Sequence, residues 1–233
     1  MAQPRVAVIV VAGGSGQRMN ASIRKQYMSL AGLPVLVRTL NVFAPMNVPI
    51  FLVIPQGDMA FCEETILAPH LLDKQVQLVH GGKERQASVK NGLDALHSTG
   101  FSRNGIVLIH DGVRPFVEKS MLDRCIEGAF THGACIPAVA VVDTLKRVDH
   151  QGKIVSTVSR DNLYQVQTPQ AFRFDLVIKA HEHALVRGIK GTDDASLVEA
   201  MGEAVYFTPG SVDNIKLTTP GDLERGEFIA TRF

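Results

Sequence analysis

The chain has no tryptophan, three cysteines and only 6% aromatic residues. Cys62, Cys125 and Cys135 are odd in number, far apart and outside any C-x-x-C pattern, so neither a disulfide framework nor a zinc site is indicated. A reduced, cytoplasmic setting is the expectation. No apolar run approaches the roughly 20 residues that a membrane-spanning helix needs, so no membrane partner is expected, and the N-terminus lacks the layout of a signal peptide. Neither sign of charge dominates: 24 basic and 23 acidic residues leave a net +1. That balance argues against nucleic acid as a partner, because binding it generally needs a strongly basic face. No Ser-His-Asp spacing, H-E-x-x-H pattern or nucleophilic Cys context appears, which argues against hydrolases and metalloproteases. His181 and His183 lie two apart on an expected helix, point to different faces and read as surface residues.

One absence is local. No Asp or Glu occurs before Asp58, whereas Arg5, Arg18, Arg24, Lys25 and Arg38 are all positive. Inside this acid-free zone Val6-Ala7-Val8-Ile9-Val10-Val11 reads as a fully buried parallel strand. It runs into Ala12-Gly13-Gly14-Ser15-Gly16-Gln17-Arg18-Met19 and, shortly after, Arg24-Lys25-Gln26. Glycines at a strand end let backbone N–H groups converge on an anion, and Arg18 and Lys25 are near enough in sequence to close over it. A P-loop would need G-K-[ST], and a dinucleotide fingerprint would need Gly at Met19 and an acid about 20 residues on. Neither fits. A glycine turn is ordinarily just a turn, but its basic, acid-free setting points to a polyphosphate site.

Strand patterns at 6–11, 50–54, 76–80, 106–110 and 134–139 alternate with helix patterns at 34–43, 59–66, 84–96 and 119–130. This alternation predicts an α/β fold with a mostly parallel central sheet and helices on both faces. Ligands of such sheets bind outside the carboxyl ends of the strands. Here those ends are Ala12-Gly13-Gly14, Gly81-Gly82 and Asp111-Gly112. The rhythm breaks at Asp143, where 144–148 and 154–158 read as two strands around a polar turn. An isolated hairpin is marginal in water, so either it docks on a second copy of the chain or it is a plain surface hairpin. Beyond it, helices are expected at 174–186 and 194–201, a strand at 204–207, and a last helix with Thr219 as N-cap and Pro220 at N1. With no repeat or linker, residues 1–233 read as one domain carrying an arm near 143–160.

Two further features carry chemistry. Asp111 ends an apolar strand, where it suits either a turn or one Mg²⁺ ligand facing phosphates, and Arg114 follows three residues later. Gly81-Gly82-Lys83-Glu84-Arg85-Gln86-Ala87-Ser88 starts a helix whose amides and hydroxyl either read a base or ribose or simply begin the helix.

Taken together, the motifs resemble those of the 2-C-methyl-D-erythritol 4-phosphate cytidylyltransferases. The resemblance runs from Val6 to about Phe228. It is carried by the glycine loop, Lys25-Gln26-Tyr27, Gly81-Gly82 with Arg85 and Ser88, His110-Asp111 with Arg114-Pro115, Asp143-Thr144-Leu145-Lys146, Gln167-Thr168-Pro169-Gln170, Thr192-Asp193-Asp194-Ala195-Ser196 and Asp213-Asn214-Ile215-Lys216. It implies a Rossmann-like nucleotidyltransferase fold and a homodimer with exchanged β-arms. It also implies Mg²⁺-dependent transfer of CMP from CTP to a polyol phosphate, in-line and without a covalent enzyme intermediate. By the same resemblance Arg18 and Lys25 stabilise the transferring α-phosphate. Ala12, Gly13, Gly14, Ser15 and Gly16 cradle phosphate, and Gly82 and Ser88 contact the base end. Asp111 holds the metal beside the acceptor. Arg160 and Lys216 position that acceptor, Thr144 and Arg160 arrive from the partner's arm, and Arg114 and Thr192 line the pocket.

The family usually has Pro where Arg24 stands, a change expected to add charge and loosen the loop. Many members carry Asp at Lys83, so Lys83 is given no base-reading role. Ribitol 5-phosphate cytidylyltransferases share the CTP half, but the Thr192–Ser196 segment looks more like the methylerythritol enzymes. A non-catalytic nucleotide sensor would not need the acceptor-side cations.

Overall fold

The computed structural model describes residues 4–13, 24–70, 72 and 76–233. β1 (Val6–Val11) is apolar throughout because both of its faces are covered. Val8 and Val10 pack in one core with Leu36, Leu40, Phe43 and Leu122, while Ala7, Ile9 and Val11 pack in another with Val89, Leu93, Phe174 and Val177. Alternation of side chains along a strand thus feeds two cores from one segment. At about 1.5–3 kcal/mol per buried aliphatic side chain, β1 is a rigid base for whatever its end supports.

A short pair, β2 (Ser29–Leu30) and β3 (Leu33–Pro34), leads into α1 (Val35–Phe43), and β4 (Ile50–Ile54) returns to the sheet. The helix expected at 59–66 is less regular. α2 (Met59–Phe61) passes into a π-helical turn, Cys62–Leu67, and a 3-10 turn, Ala68–His70. β5 (Val76–His80), α3 (Arg85–Ser98), β6 (Ile106–Asp111), α4 (Lys119–His132) and β7 (Ala134–Ala140) continue the expected alternation. In α3, Gly92 lets the helix lie directly on the sheet, since a Cβ there would meet Ile9 at 2.7 Å and Val53 at 3.0 Å.

Next come β8 (Leu145–Val148) and β9 (Ile154–Val158), which pair only with each other. Their turn is closed by Asp149, whose carboxylate accepts from the amides of Gln151 and Lys153. This arm exposes Val148, Ile154 and Val155 by 54–60%. The chain returns through β10 (Tyr164–Val166), β11 (Gln170–Arg173), α5 (Phe174–Arg187), α6 (Asp194–Ala200), β12 (Tyr206–Pro209) and α7 (Pro220–Ala230). As expected, Thr219 caps α7, accepting from Asp222 N–H, with Pro220 in the first turn.

The main sheet runs β5-β4-β1-β6-β11-β7-β10, with β12 on the other edge of β7. β1 pairs in parallel with β4 and β6, and so do β4 with β5 and β7 with β12. β10 and β11 are antiparallel insertions that the short, turn-flanked runs 164–166 and 170–173 gave no reason to expect. From β1 the chain goes first to β4 and β5 on one side and then to β6 on the other. That reversal opens a crevice at the carboxyl ends of β1 and β6. No helix among the described residues is long and apolar enough to cross a membrane.

Candidate active site

Strand register brings the three expected loop starts to one end of the sheet. Val11 lies opposite both Val53 and Asp111, and Ile54 lies opposite His80. Each strand end is tied to its neighbour by a backbone bond: Ala12 N–H to Val53 (2.9 Å), Gly81 N–H to Ile54 (2.7 Å) and Gly112 N–H to Val11 (2.8 Å). Above them lies a cleft of about 380 Å³ bordered by Ala12, Gly13, Lys25, Gly82, Ser88 and Lys216. A larger groove of about 610 Å³ near Pro4, Val6 and Phe130 lies at the amino end of β1, away from these residues.

Each wall of the cleft has a local cause. A Cβ at Gly82 would sit 2.5 Å from that of Ala87, so only glycine lets the loop fold against α3. Its N–H then donates to Ser88 Oγ at 3.0 Å. Lys25 is carried on a 3-10 turn, Lys25–Tyr27. The middle residue of that turn, Gln26, is buried and donates to the carbonyl of Ala12 at 2.8 Å. This bond fixes the lysine relative to the end of β1.

Asp111 is 6% exposed. Its Oδ2 lies 2.9 Å from Lys216 Nζ and 3.5 Å from Arg114 Nε, and its Oδ1 lies 3.3 Å from Arg85 Nε. Burial alone would push the carboxyl up. Lys216, then Arg85 and Arg114, outweigh burial and hold it well below the usual aspartate range. The backbone of Asp111 donates to Thr168 Oγ1 (3.1 Å), which also meets His110 Nδ1 (3.0 Å). Nε2 of His110 lies 2.9 Å from the Arg114 carbonyl, which can only accept, so the proton belongs on Nε2 and the Thr168 hydroxyl donates to Nδ1. Burial pushes His110 down to about 4, which keeps it neutral at physiological pH. Arg114 also reaches the Asn214 carbonyl (2.7 Å), and Asn214 donates to the Thr168 carbonyl (2.9 Å). Three sequence-distant motifs thereby lock one carboxylate in place.

Sequence reasoning passed over the residues behind this carboxylate. Arg85 bridges Asp111 to Asp194, with Nη1 2.8 Å from Asp194 Oδ2. Asp194 also lies 3.0 Å from His181 Nε2. Burial would raise Asp194, but Arg85 and the His181 N–H lower it. His181 is therefore not the surface residue expected: it is 2% exposed, because Val177, Ala180 and Ala184 on the same helix turn it into the core. Gln170 completes the join, accepting from the amides of Asp194 and Ala195 and donating to Asp193. The available signal was charge: acids in the Asp111 and Asp194 motifs call for a cation if they are buried, and Arg85, half-buried at the start of α3, reaches both.

The expected site residues divide into three groups. Ala12, Gly13, Lys25, Gly82, Ser88 and Lys216 border the cleft, and Asp111 and Arg114 join it through Lys216 and Arg85. Thr192 is exposed just before the N-cap Asp193, and Thr144 and Arg160 are exposed on the arm, where Arg160 donates to the Val142 carbonyl. None of these three borders the cleft. Gly14, Ser15, Gly16 and Arg18 lie outside the described residues. Arg24, expected to add charge to the loop, pairs with Asp58 at 2.9 Å and has φ −62° and ψ 140°.

The family model of 2-C-methyl-D-erythritol 4-phosphate cytidylyltransferase matches residues 6–232. The chain belongs to this cytidylyltransferase family. It is 46% identical over 223 residues to a 2-C-methyl-D-erythritol 4-phosphate cytidylyltransferase of Syntrophus aciditrophicus, covering 95% of this chain and 94% of the relative. Identity to a protein of the same name from Geobacillus thermodenitrificans is 48% over 225 residues, with 95% of each chain covered. The fold is similar to the crystal structure of that enzyme from Thermus thermophilus. The TM-score is 0.81 and identity 31%, with 97% of this chain and 99% of that one covered. The cleft is thus bordered by Lys25, Lys83, Arg85 and Lys216, with the buried carboxylate of Asp111 behind two of these cations.

Proposed function

We propose that this chain transfers the cytidylyl group of CTP to 2-C-methyl-D-erythritol 4-phosphate, a step in isoprenoid precursor synthesis. The observation that carries this reading is the cleft at the ends of β1 and β6, where Gly13, Lys25, Gly82, Ser88 and Lys216 converge beside buried Asp111. An oxygen of the acceptor phosphate attacks the α-phosphorus of CTP. The new P–O bond forms as the bond to the bridging oxygen breaks, and pyrophosphate leaves with that electron pair. No protein group forms a bond to substrate, so catalysis consists of positioning and charge stabilisation. Lys25 stabilises the charge that builds on the α-phosphate, the role that the resemblance also gives Arg18. The Gly13 loop takes phosphate, and Gly82 and Ser88 take the nucleoside end. Lys216 and Arg114 meet the acceptor phosphate.

Mg²⁺ fits the donor set. Asp111 offers one hard carboxylate at the strand end, the kind of single ligand that serves a cation completed by substrate phosphates and water, and Lys216, which is 39% exposed, can yield its place on Oδ2. Asp111 would hold it, and once bound it would neutralise phosphate charge. Three buried, free cysteines suit a reducing cytoplasm.

The same reading makes the protein a homodimer in which the arm reaches the partner's cleft with Thr144 and Arg160. In support, the arm exposes apolar residues, and the exposed rings of Tyr164 and Phe207, on the strands flanking β7, lie 4.6 Å apart. Arg160→Ala mixed with Lys25→Ala should recover part of the activity, because one hybrid site carries neither lesion. Absence of recovery in verified mixed dimers would refute the exchange.

The activity itself is tested by pyrophosphate release from CTP and Mg²⁺ with a panel of polyol phosphates. Turnover should be fastest with 2-C-methyl-D-erythritol 4-phosphate. Faster turnover with ribitol 5-phosphate would overturn the acceptor assignment, and CTP binding without turnover on any acceptor would identify a sensor.

A further inference from the structure

Lys25 is bracketed in sequence by two residues that reach the same atom. Arg24 Nε lies 2.9 Å from Asp58 Oδ2, and the Tyr27 hydroxyl donates to that oxygen at 3.1 Å. Asp58 is itself fixed just beyond the end of β4, where its amide donates to the Pro55 carbonyl at 2.9 Å. The Tyr27 ring is held edge-on against Phe61, with centroids 5.1 Å apart. Burial, with Cys62 and Asp58 nearby, pushes the tyrosine far up, so its hydroxyl keeps the proton it donates. The turn closes on itself through Tyr27 N–H to the Arg24 carbonyl at 2.9 Å. Two clamps therefore grip the Lys25 turn: Gln26 on β1, and Arg24 with Tyr27 on the segment after β4.

We infer that Asp58 is a positioning residue for Lys25, and that Arg24, through Asp58, restrains the turn as a proline ring would. The inference rests on the catalytic reading of Lys25. Two observations favour it over an incidental surface ion pair. The Asp58 side chain is only 14% exposed although Arg24 is 37% exposed, so the acceptor end is fixed while the donor end alone faces water. The backbone at Arg24 has φ −62°, the angle to which a pyrrolidine ring locks a residue. An exposed pair adds little global stability; this one acts on the direction of a single side chain.

Steady-state kinetics and melting temperatures of a small variant set test the inference. Arg24→Ala should lower kcat about tenfold, as expected for a misplaced catalytic group, with KM for CTP changed less than about twofold. Arg24→Pro should keep kcat within about threefold of the parent, because the ring supplies the restraint without the charge. Asp58→Asn, which removes the ion pair with little change in shape, should resemble Arg24→Ala, with melting shifted by no more than about 2 °C. In a Lys25→Ala background, Asp58→Asn should cause no further loss. Equal losses in Arg24→Ala and Arg24→Pro would overturn the inference, showing that the arginine charge itself matters. So would an undiminished kcat in Asp58→Asn, or a further loss on top of Lys25→Ala. Full turnover of Lys25→Ala would instead overturn the catalytic reading of the lysine, a separate result.

Discussion

Replacing Asp111 by asparagine is expected to cost the protein both stability and turnover. Lys216, Arg85 and Arg114 lie 2.9–3.5 Å from its carboxylate, and without that charge they face one another. Removing one partner of a buried charge cluster costs about 3–5 kcal/mol. Lys216 is 39% exposed and can swing toward water, and Arg85 keeps Asp194, so about 2–4 kcal/mol is expected. For a chain of this size that is a melting shift of roughly 5–12 °C. The sign with pH follows from the depressed carboxyl. Its stabilisation is complete above its ordinary value of 3.8 and is lost as pH falls below that toward the folded-state value. The asparagine variant should therefore converge with the parent in acid. Because the three cations are left unpaired, CTP without metal should restabilise the variant more than the parent. Turnover should fall by at least about two powers of ten, as when a preorganised charge is removed from a site. Parental melting at pH 7 would contradict this account of Asp111.

Lys25→Ala should lower kcat by roughly two to four powers of ten, while CTP affinity falls much less. A charge that meets the α-phosphate mainly as its charge develops is lost chiefly from the transition state. Gln26 and Ala12 hold the turn independently of the lysine side chain, so the loss should appear without a change in fold. Single-turnover rates and CTP titration separate the two effects. Equal losses in binding and turnover would make Lys25 an ordinary phosphate binder.

Physical patterning explains what could be read from the sequence. β1 and β6 were legible because strands buried on both faces need unbroken apolar runs, and the hairpin at 144–158 was legible because it breaks that rule. Motifs at or near the strand ends named Lys25, Gly82, Ser88 and Asp111, whereas Lys216 came only with the family resemblance. Strand register, the Gln26–Ala12 bond and the Lys216–Asp111 pair bring the five together. Partnerships between distant elements could not be read from spacing. His181 and Asp194 lie on different helices, and nothing local to His181 announces a buried acid 13 residues on. Arg85 was visible within its motif, but its job depends on where Asp111 and Asp194 end up. Asp58 stood out only as the first acid after a basic stretch. The structure makes it the counter-ion that Arg24 lacked.

The arm shares no strand pairing with the main sheet, whereas the proposed nucleotide cleft is built on β1 and β6 at its centre. Sequence change has different consequences in the two places. A substitution under the cleft disturbs one or other of two closely packed cores, while one on the ribbon disturbs mainly the ribbon. In the proposed function, donor recognition is therefore tied to the survival of the fold, as are the acceptor contacts of Lys216 and Arg114, whereas the contacts that Thr144 and Arg160 of the arm would add are free to diverge. Selection acting on such a chain can revise what receives the cytidylyl group while leaving what delivers it untouched.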